Sequence, residues 1–253
     1  MHLDVYDVRM RFATPLALRS LALSLACACA WTFAPPVAGS HDVASWRLAF
    51  AGELQGRRGL DVYVTLVPGG KPRRLAGVAG RDDFSPAWSP NGKLIAYRQN
   101  PARGDEGDIM VVPAQGGRPR NLTRSPGIAD WSPAWAPDGK LIAFFSSRAG
   151  YDIWTMRPDG SGLRRLTRSG SLDEYPSWSP DGQRIVFQTS RKGEFDVYVM
   201  GRNGRSQRNL SRHPARDQWA SWSPDGRYIA FVSERDGSED VFLIHPDGAG
   251  SGT

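Results

Sequence analysis

Four aspartates, Asp83, Asp130, Asp173 and Asp217, each stand five residues before a tryptophan: Trp88, Trp135, Trp178 and Trp222. Four carboxylates at equivalent places in a repeat can do chemistry if the fold turns them toward one axis. They could then form an acidic mouth for a divalent cation or a basic peptide. The same residues have a plainer use, in which each caps its loop through an Asx turn or pairs with an arginine of the next repeat. Unit charges about 10 Å apart repel by under ~2 kcal/mol at an effective dielectric near 20, so such a ring needs no metal to be tolerated. Aromatic residues flank the aspartates (Phe84, Trp131, Tyr175 and Trp219), and His213 lies four residues before Asp217. The residue pattern favours the structural use, yet this end of the repeat is also the best place to look for a binding site.

No nucleophile elbow, metalloprotease His-Glu-x-x-His or phosphate loop is present. Histidines are scattered at His41, His213 and His245 beyond the N-terminal stretch, and both cysteines, Cys27 and Cys29, fall within that stretch. The rest of the chain therefore has no thiolate for a disulfide, a metal site or a nucleophile. The net charge is +6 and the pI near 9.6, but the arginines are spread through every repeat. Without a dense basic run, nucleic acid is not the expected partner. A second set of aspartates, Asp61, Asp108, Asp152, Asp196 and Asp240, recurs in every unit. Such recurrence argues for a shared hydrogen-bonding task. Catalytic sites on repeat rings tend to break the symmetry, and no clear break is visible in the aligned positions. The expectation is a protein that is not an enzyme and needs no cofactor.

The elements that must position these residues follow from the repeat. Trp178-Ser179-Pro180-Asp181-Gly182 is a strand end and a tight turn, because Pro180 presets φ, Asp181 bonds its own backbone and Gly182 accepts positive φ. The next residues, Ile185-Val186-Phe187, alternate as a strand does. The aromatic residue of that strand recurs as Phe50, Tyr97, Phe144, Phe187 and Phe231, at spacings of 47, 47, 43 and 44 residues. A third strand follows, as in Asp152-Ile153-Trp154-Thr155, and in four copies a short fourth, as in Arg165-Leu166-Thr167. Four short strands at this period are the signature of a β-propeller blade. Third strands such as Val197-Tyr198-Val199-Met200 are apolar on both faces, as a sheet sandwiched between neighbours must be. The fold class is therefore all-β, a propeller of about five four-stranded blades, or six if the termini or a partner complete the ring. The four tryptophans are expected to wedge between blades as structural residues, each burying about 200 Å².

About 18 strands are recognisable where five full blades need 20. The first unit has His41 where the others carry tryptophan, and the last stops before a fourth strand. The segment around residues 33–43 is expected to complete the last blade by strand exchange. An open ring would instead leave edges that favour oligomers. Residues 1–40 read as an exported leader whose true start is Met10, since Asp4 and Asp7 do not suit a basic signal n-region. Its apolar run is short for a membrane span. Cleavage after Ala30 or Gly39 gives a periplasmic or secreted protein without a transmembrane span, while acylation of Cys27 or Cys29 would give a lipid-anchored one. Residues 41–248 form the propeller and 249–253 a Gly/Ser tail.

In Trp-Ser-Pro-Asp-Gly-x-x-Ile-Ala-Phe, then Asp-Ile-Tyr/Trp-x-Met, then Arg-x-Leu-Thr, the chain resembles the TolB-type β-propeller repeat over roughly residues 45–248. The resemblance implies a periplasmic protein-binding platform of the cell envelope, with a peptidoglycan-associated lipoprotein as partner. The chain departs from that pattern in two ways, with no α/β domain ahead of the repeats and five recognisable blades where six are usual. The same repeat type also precedes the hydrolase domain of prolyl-oligopeptidase-like enzymes, and no such domain is seen here. The other class to weigh is a lyase- or lactonase-like propeller enzyme or sensor that binds a saccharide or small molecule with a divalent cation at the channel mouth.

Overall fold

The computed structural model describes residues 32–34, 46–53, 59–67, 70–101, 104 and 106–247. The expected signal stretch with Met10, Cys27 and Cys29, residue His41 and the tail 249–253 lie outside the described residues. The first sheet runs β1 (Thr32–Ala34), β2 (Trp46–Gly52), β3 (Asp61–Val67) and β4 (Arg73–Ala76). The second has β5 (Asp83–Trp88), β6 (Leu94–Gln99), β7 (Asp108–Pro113) and β8 (Arg120–Asn121). The third has β9 (Asp130–Trp135), β10 (Ile142–Ser146), β11 (Asp152–Met156) and β12 (Arg164–Arg165). The fourth has β13 (Asp173–Trp178), β14 (Arg184–Lys192), β15 (Glu194–Gly201) and β16 (Arg208–Asn209). The fifth keeps only β17 (Asp217–Trp222), β18 (Ile229–Ser233) and β19 (Asp240–Ile244). These are the blades that the repeat predicts. Among the described residues no helix is long and apolar enough to cross a membrane.

The first blade corrects one expectation. Thr32–Ala34 does not complete the last sheet; it pairs antiparallel with β2, with Phe33 across from Leu48. That is the register the wedge tryptophans take in later blades, as in Trp88 across from Ile95 and Trp178 across from Ile185. Aligning His41 with the tryptophans therefore missed the true inner strand, because the connection to β2 in this unit is longer. Of the two expected cleavage sites, only the one after Ala30 would keep this strand.

Each core cluster lies between two blades. Ala49, Val62 and Val64 of the first pack with Trp88, Ile95 and Tyr97 of the second. Ala96 and Ile109 meet Ile142 and Phe144, Ala143 and Ile153 meet Ile185 and Phe187, and Val197 and Val199 meet Phe231 and Phe242. Among the described residues no such cluster joins the fifth blade to the first. Tryptophans pin the joints: Trp135 Nε1 donates to the Ala87 carbonyl at 3.2 Å, and Trp178 Nε1 to the Ala134 carbonyl at 3.1 Å, each in the preceding blade. Trp178→Ala is expected to cost about 3–5 kcal/mol, which a urea melt would read as a large fall in midpoint.

Two further devices repeat. In the turns, Asp181 Oδ1 accepts from the Gln183 amide at 3.0 Å, as Asn91, Asp138 and Asp225 do for the residue two further on. The turn acids are thus structural. Gly182 sits at φ +67°, and a Cβ there would lie 3.5 Å from Pro137 of the preceding turn, so the turns nest from blade to blade. On the outer strands, Arg120 Nη2 reaches the Pro158 carbonyl at 2.9 Å and Arg164 Nη2 the Asn203 carbonyl at 3.0 Å. Arg73 reaches Ala114 and Arg208 reaches Pro246 in the same way, so every blade but the last clasps its successor.

Candidate functional site

The four aligned aspartates open the four inner strands β5, β9, β13 and β17, at what is termed here the aspartate end. All four side chains are fully buried. Two residues on, Ser85, Ser132, Tyr175 and Trp219 adopt φ between +48° and +53°. The register with the second strand shifts at this point in each blade. A bulge therefore follows the aspartate in each of these four inner strands.

Three of the four carry an arginine from eighteen residues further along the chain. Arg148 Nη2 lies 3.0 and 2.9 Å from the two Asp130 oxygens, Arg191 Nη2 2.9 Å from Asp173, and Arg235 Nη2 3.1 Å from Asp217. The guanidinium groups lie over aromatic rings of the same blade: Arg148 over Trp154 at 5.3 Å, Arg191 over Tyr198 at 5.1 Å and Arg235 over Phe242 at 4.7 Å. In the third and fifth blades the arginine Nε also donates to the hydroxyl opposite the aspartate, Ser146 and Ser233, each at 2.9 Å. The arginine belongs to the same blade, in the hairpin between second and third strands, and not to the next one as expected. Nor do these carboxylates form an open acidic ring, since each is buried beneath its own cation.

The second blade breaks the pattern. Eighteen residues after Asp83 stands Pro101. Across the strand pair the small hydroxyl is replaced by Gln99, whose Nε2 donates to Asp83 Oδ1 at 2.9 Å. Gln99 Oε1 in turn accepts from Arg81 Nη1 at 3.2 Å. Asp83 Oδ2 is buried with no hydrogen-bond partner. Burial, with smaller repulsion from Asp61 and Asp82, pushes the Asp83 carboxyl up to about 7, against the opposing pull of Gln99 and Arg74. A neutral amide holds this carboxylate where the others meet a guanidinium. The sequence contains this break, because the spacing Asp-x17-Arg is present in three units and ends in Pro101 in the fourth; aligning aspartates to tryptophans alone does not reveal it.

Of the flanking residues, Trp131 and Tyr175 are brought together and Trp219 is not. Trp131 stacks on Phe145 with centroids 5.1 Å apart and on Tyr151 at 5.4 Å, while Phe145 meets Tyr175 at 5.2 Å. Arg98 lies over the Trp131 ring at 4.6 Å and the Phe84 ring at 5.7 Å. Trp131 and Tyr175 are half-buried and Tyr151 is exposed. Trp219 instead donates its backbone N–H to Gln188 Oε1 at 3.0 Å. The amide of the same Gln188 donates to Glu174 at 3.1 Å, and burial raises that carboxyl's pKa. His213 stands apart in the loop before β17, its Nδ1 accepting from the Ala215 N–H at 3.1 Å. Arg98, Gln99, Phe145 and Tyr151 escaped the sequence reading because they lie on second strands and hairpins, away from the aligned motif.

In the first four blades the second set of aspartates shares one task, tying the third strand to the fourth; in the fifth, which has three strands among the described residues, Asp240 instead accepts from Ser238 Oγ at 2.8 Å. Asp61 meets Arg74 at 2.7 Å, Asp152 meets Arg165 at 2.6 Å and Asp108 accepts from Asn121 at 2.7 Å. Among the described residues no group of three acidic, histidine or cysteine side chains gathers as a metal site.

Sheets radiating side by side, inner strands rich in buried ion pairs and nested Pro-Asp-Gly turns define a β-propeller. The chain belongs to the TolB beta propeller domain family, whose profile matches residues 45–177 and 173–252. Among solved structures, a protein assigned as TolB from Agrobacterium tumefaciens is 25% identical with a TM-score of 0.65, covering 85% of this chain and 77% of that one. TolB from Acinetobacter baumannii is 23% identical at a TM-score of 0.69, over 79% of this chain and 50% of that one, so the chain spans half of that relative. A puromycin-hydrolysing peptidase of Mycobacterium tuberculosis shares the fold at 17% identity and a TM-score of 0.62, over 86% of this chain and 37% of the peptidase. No curated protein matches the sequence.

Proposed function

We propose that this chain is an exported, non-enzymatic propeller that binds a protein or peptide partner in the cell envelope, at its aspartate end. The observation that carries the reading is the asymmetric cluster at one side of that end, in which the half-buried rings of Trp131 and Tyr175 and the exposed ring of Tyr151 are backed by the buried Phe145 and Arg98. Tryptophan, tyrosine and arginine supply most of the energy at protein interfaces. Kinship with TolB proteins supports the envelope and a partner such as a peptidoglycan-associated lipoprotein. A divalent cation at the aspartate end would have to displace a guanidinium from three of the four carboxylates, which weighs against the lyase-like reading.

Isothermal titration with the soluble domain of the peptidoglycan-associated lipoprotein from the same cell tests this. A Trp131→Ala/Tyr151→Ala variant that still melts cooperatively should bind at least about tenfold more weakly. A Leu163→Ala change, at the opposite end, should leave the affinity unchanged. Equal affinity for wild type and the double variant would remove the mouth from the interface.

A further inference from the structure

At the turn end, opposite the aspartates, three of the four wedge tryptophans carry a guanidinium on the ring. Arg47 lies over Trp88 at 4.8 Å, Arg202 over Trp178 at 5.8 Å and Arg184 over Trp222 at 4.7 Å. These three indoles are buried, at 7, 7 and 8% exposure. Two positions of the repeat supply the cations. Arg47 and Arg184 come from the preceding blade, one residue before Leu48 and Ile185 of its second strand. Arg202 follows the third strand of the same blade, two residues after Met200, and crosses the joint to Asp138 Oδ2 at 3.3 Å.

At the joint between the second and third blades both positions are described and both are apolar. Leu94 takes the first, and Pro158, two residues after Met156, takes the second. Trp135 is correspondingly half-buried. It lines a cleft of ≈ 460 Å³ together with Leu94 and Pro158, between the turn residues Pro90 and Asn91 of one blade and Asp138 of the other. Among the described residues of that wall the charged side chain is Asp138, so the cleft favours a cation. Asn91 stands where Asp138 stands at the next joint.

We propose that this cleft is a second binding surface, which takes an arginine side chain of a partner protein: its guanidinium lies on Trp135 and turns toward Asp138. The three resident arginines argue for the guest, since each places a guanidinium on the equivalent indole of the same scaffold. Guanidinium is planar and weakly hydrated, so it stacks on an indole and bonds a carboxylate in one pose. A neutral isostere keeps the shape and loses the attraction of the cation for the ring and the acid. The surface lies at the far end from the aspartates and stands independently of the binding reading given above.

The probe is Nα-acetyl-arginine amide, titrated into the 15N-labelled full chain, with the citrulline analogue as neutral isostere. The Trp135 indole N–H and the Asn91 and Gly139 amide signals should shift saturably, with binding at least about threefold weaker for citrulline. Pro158→Arg, and separately Leu94→Arg, should fill the cleft from within and abolish binding while the protein still melts cooperatively. Asn91→Asp supplies the carboxylate found at the next joint, keeps the turn and should tighten binding about two- to fivefold. The proposal is overturned if Trp135 shows no saturable shift, if citrulline binds equally, if binding survives both arginine substitutions in folded protein, or if Asn91→Asp binds no more tightly. Lipoprotein affinity measured on the same variants should be unchanged, which keeps the two surfaces separate.

Discussion

Asp83→Asn is expected to stabilise the protein at pH 8 and to do little at pH 4. The Asp83 carboxyl is raised from 3.8 to about 7 in the folded chain, chiefly by burial. A group raised on folding contributes stability that is fully present below its unfolded value and is lost as pH rises through its folded value. For Asp83 that window runs from about pH 4 to pH 7. Below it both states hold the proton; within it the unfolded chain releases the proton while the folded chain retains it; above it the folded chain carries a buried anion with Oδ2 unpartnered. A shift of this size corresponds to at most about 4 kcal/mol, or roughly 10 °C in melting temperature for a domain of this length. Asparagine accepts the same hydrogen bond from Gln99 and has no proton to lose. Thermal melts of both proteins across pH 4–8 should give curves that diverge steadily through the window. Parallel curves would mean that Asp83 is solvated or paired in solution.

Arg148→Met should have the opposite sign and a similar size. Asp130 is fully buried, and Arg148 supplies charge to both of its oxygens; Ser125 Oγ, at 3.0 Å, is the other side-chain donor. Removing one partner of a buried pair strands the other and costs about 3–5 kcal/mol. Adding Asp130→Asn to Arg148→Met should recover a large part of that loss, because the stranded charge goes with it. Urea unfolding of the two single variants and the double variant gives the coupling directly. If Arg148→Met costs no more than an exposed pair, under about 1 kcal/mol, the repeated Asp–Arg pairs do not hold the inner strands in place.

Much of the fold was legible in the sequence because its cause is local and repeated. Pro180, Asp181 and Gly182 demand a turn wherever they stand, and the period of their recurrence sets blade width. The inner strand of the first blade was not legible, since residues 32–34 carry no turn motif and pair with β2 through a longer connection. The aspartates were found at the correct end of each strand, but their exposure was not, because burial depends on a side chain eighteen residues away. That second residue also conceals the break in symmetry. Asp83 looks like its three counterparts until Pro101 and Gln99 are placed beside it. The aromatic cluster is a tertiary product, joining Trp131 of β9, Phe145 of β10 and Tyr175 of β13 across a blade interface.

If the aspartate end of the second to fourth blades is the binding surface, a photocrosslinking residue placed there must capture what the protein binds in the cell. Tyr151 is exposed at that end and Leu163 is exposed at the other. Benzoylphenylalanine incorporated at position 151 should yield one discrete adduct containing an envelope protein, lost when Trp131→Ala is added, and at position 163 no such adduct. The same adduct from position 163, or none from position 151 in cells where position 163 crosslinks, would place the binding surface on the opposite end.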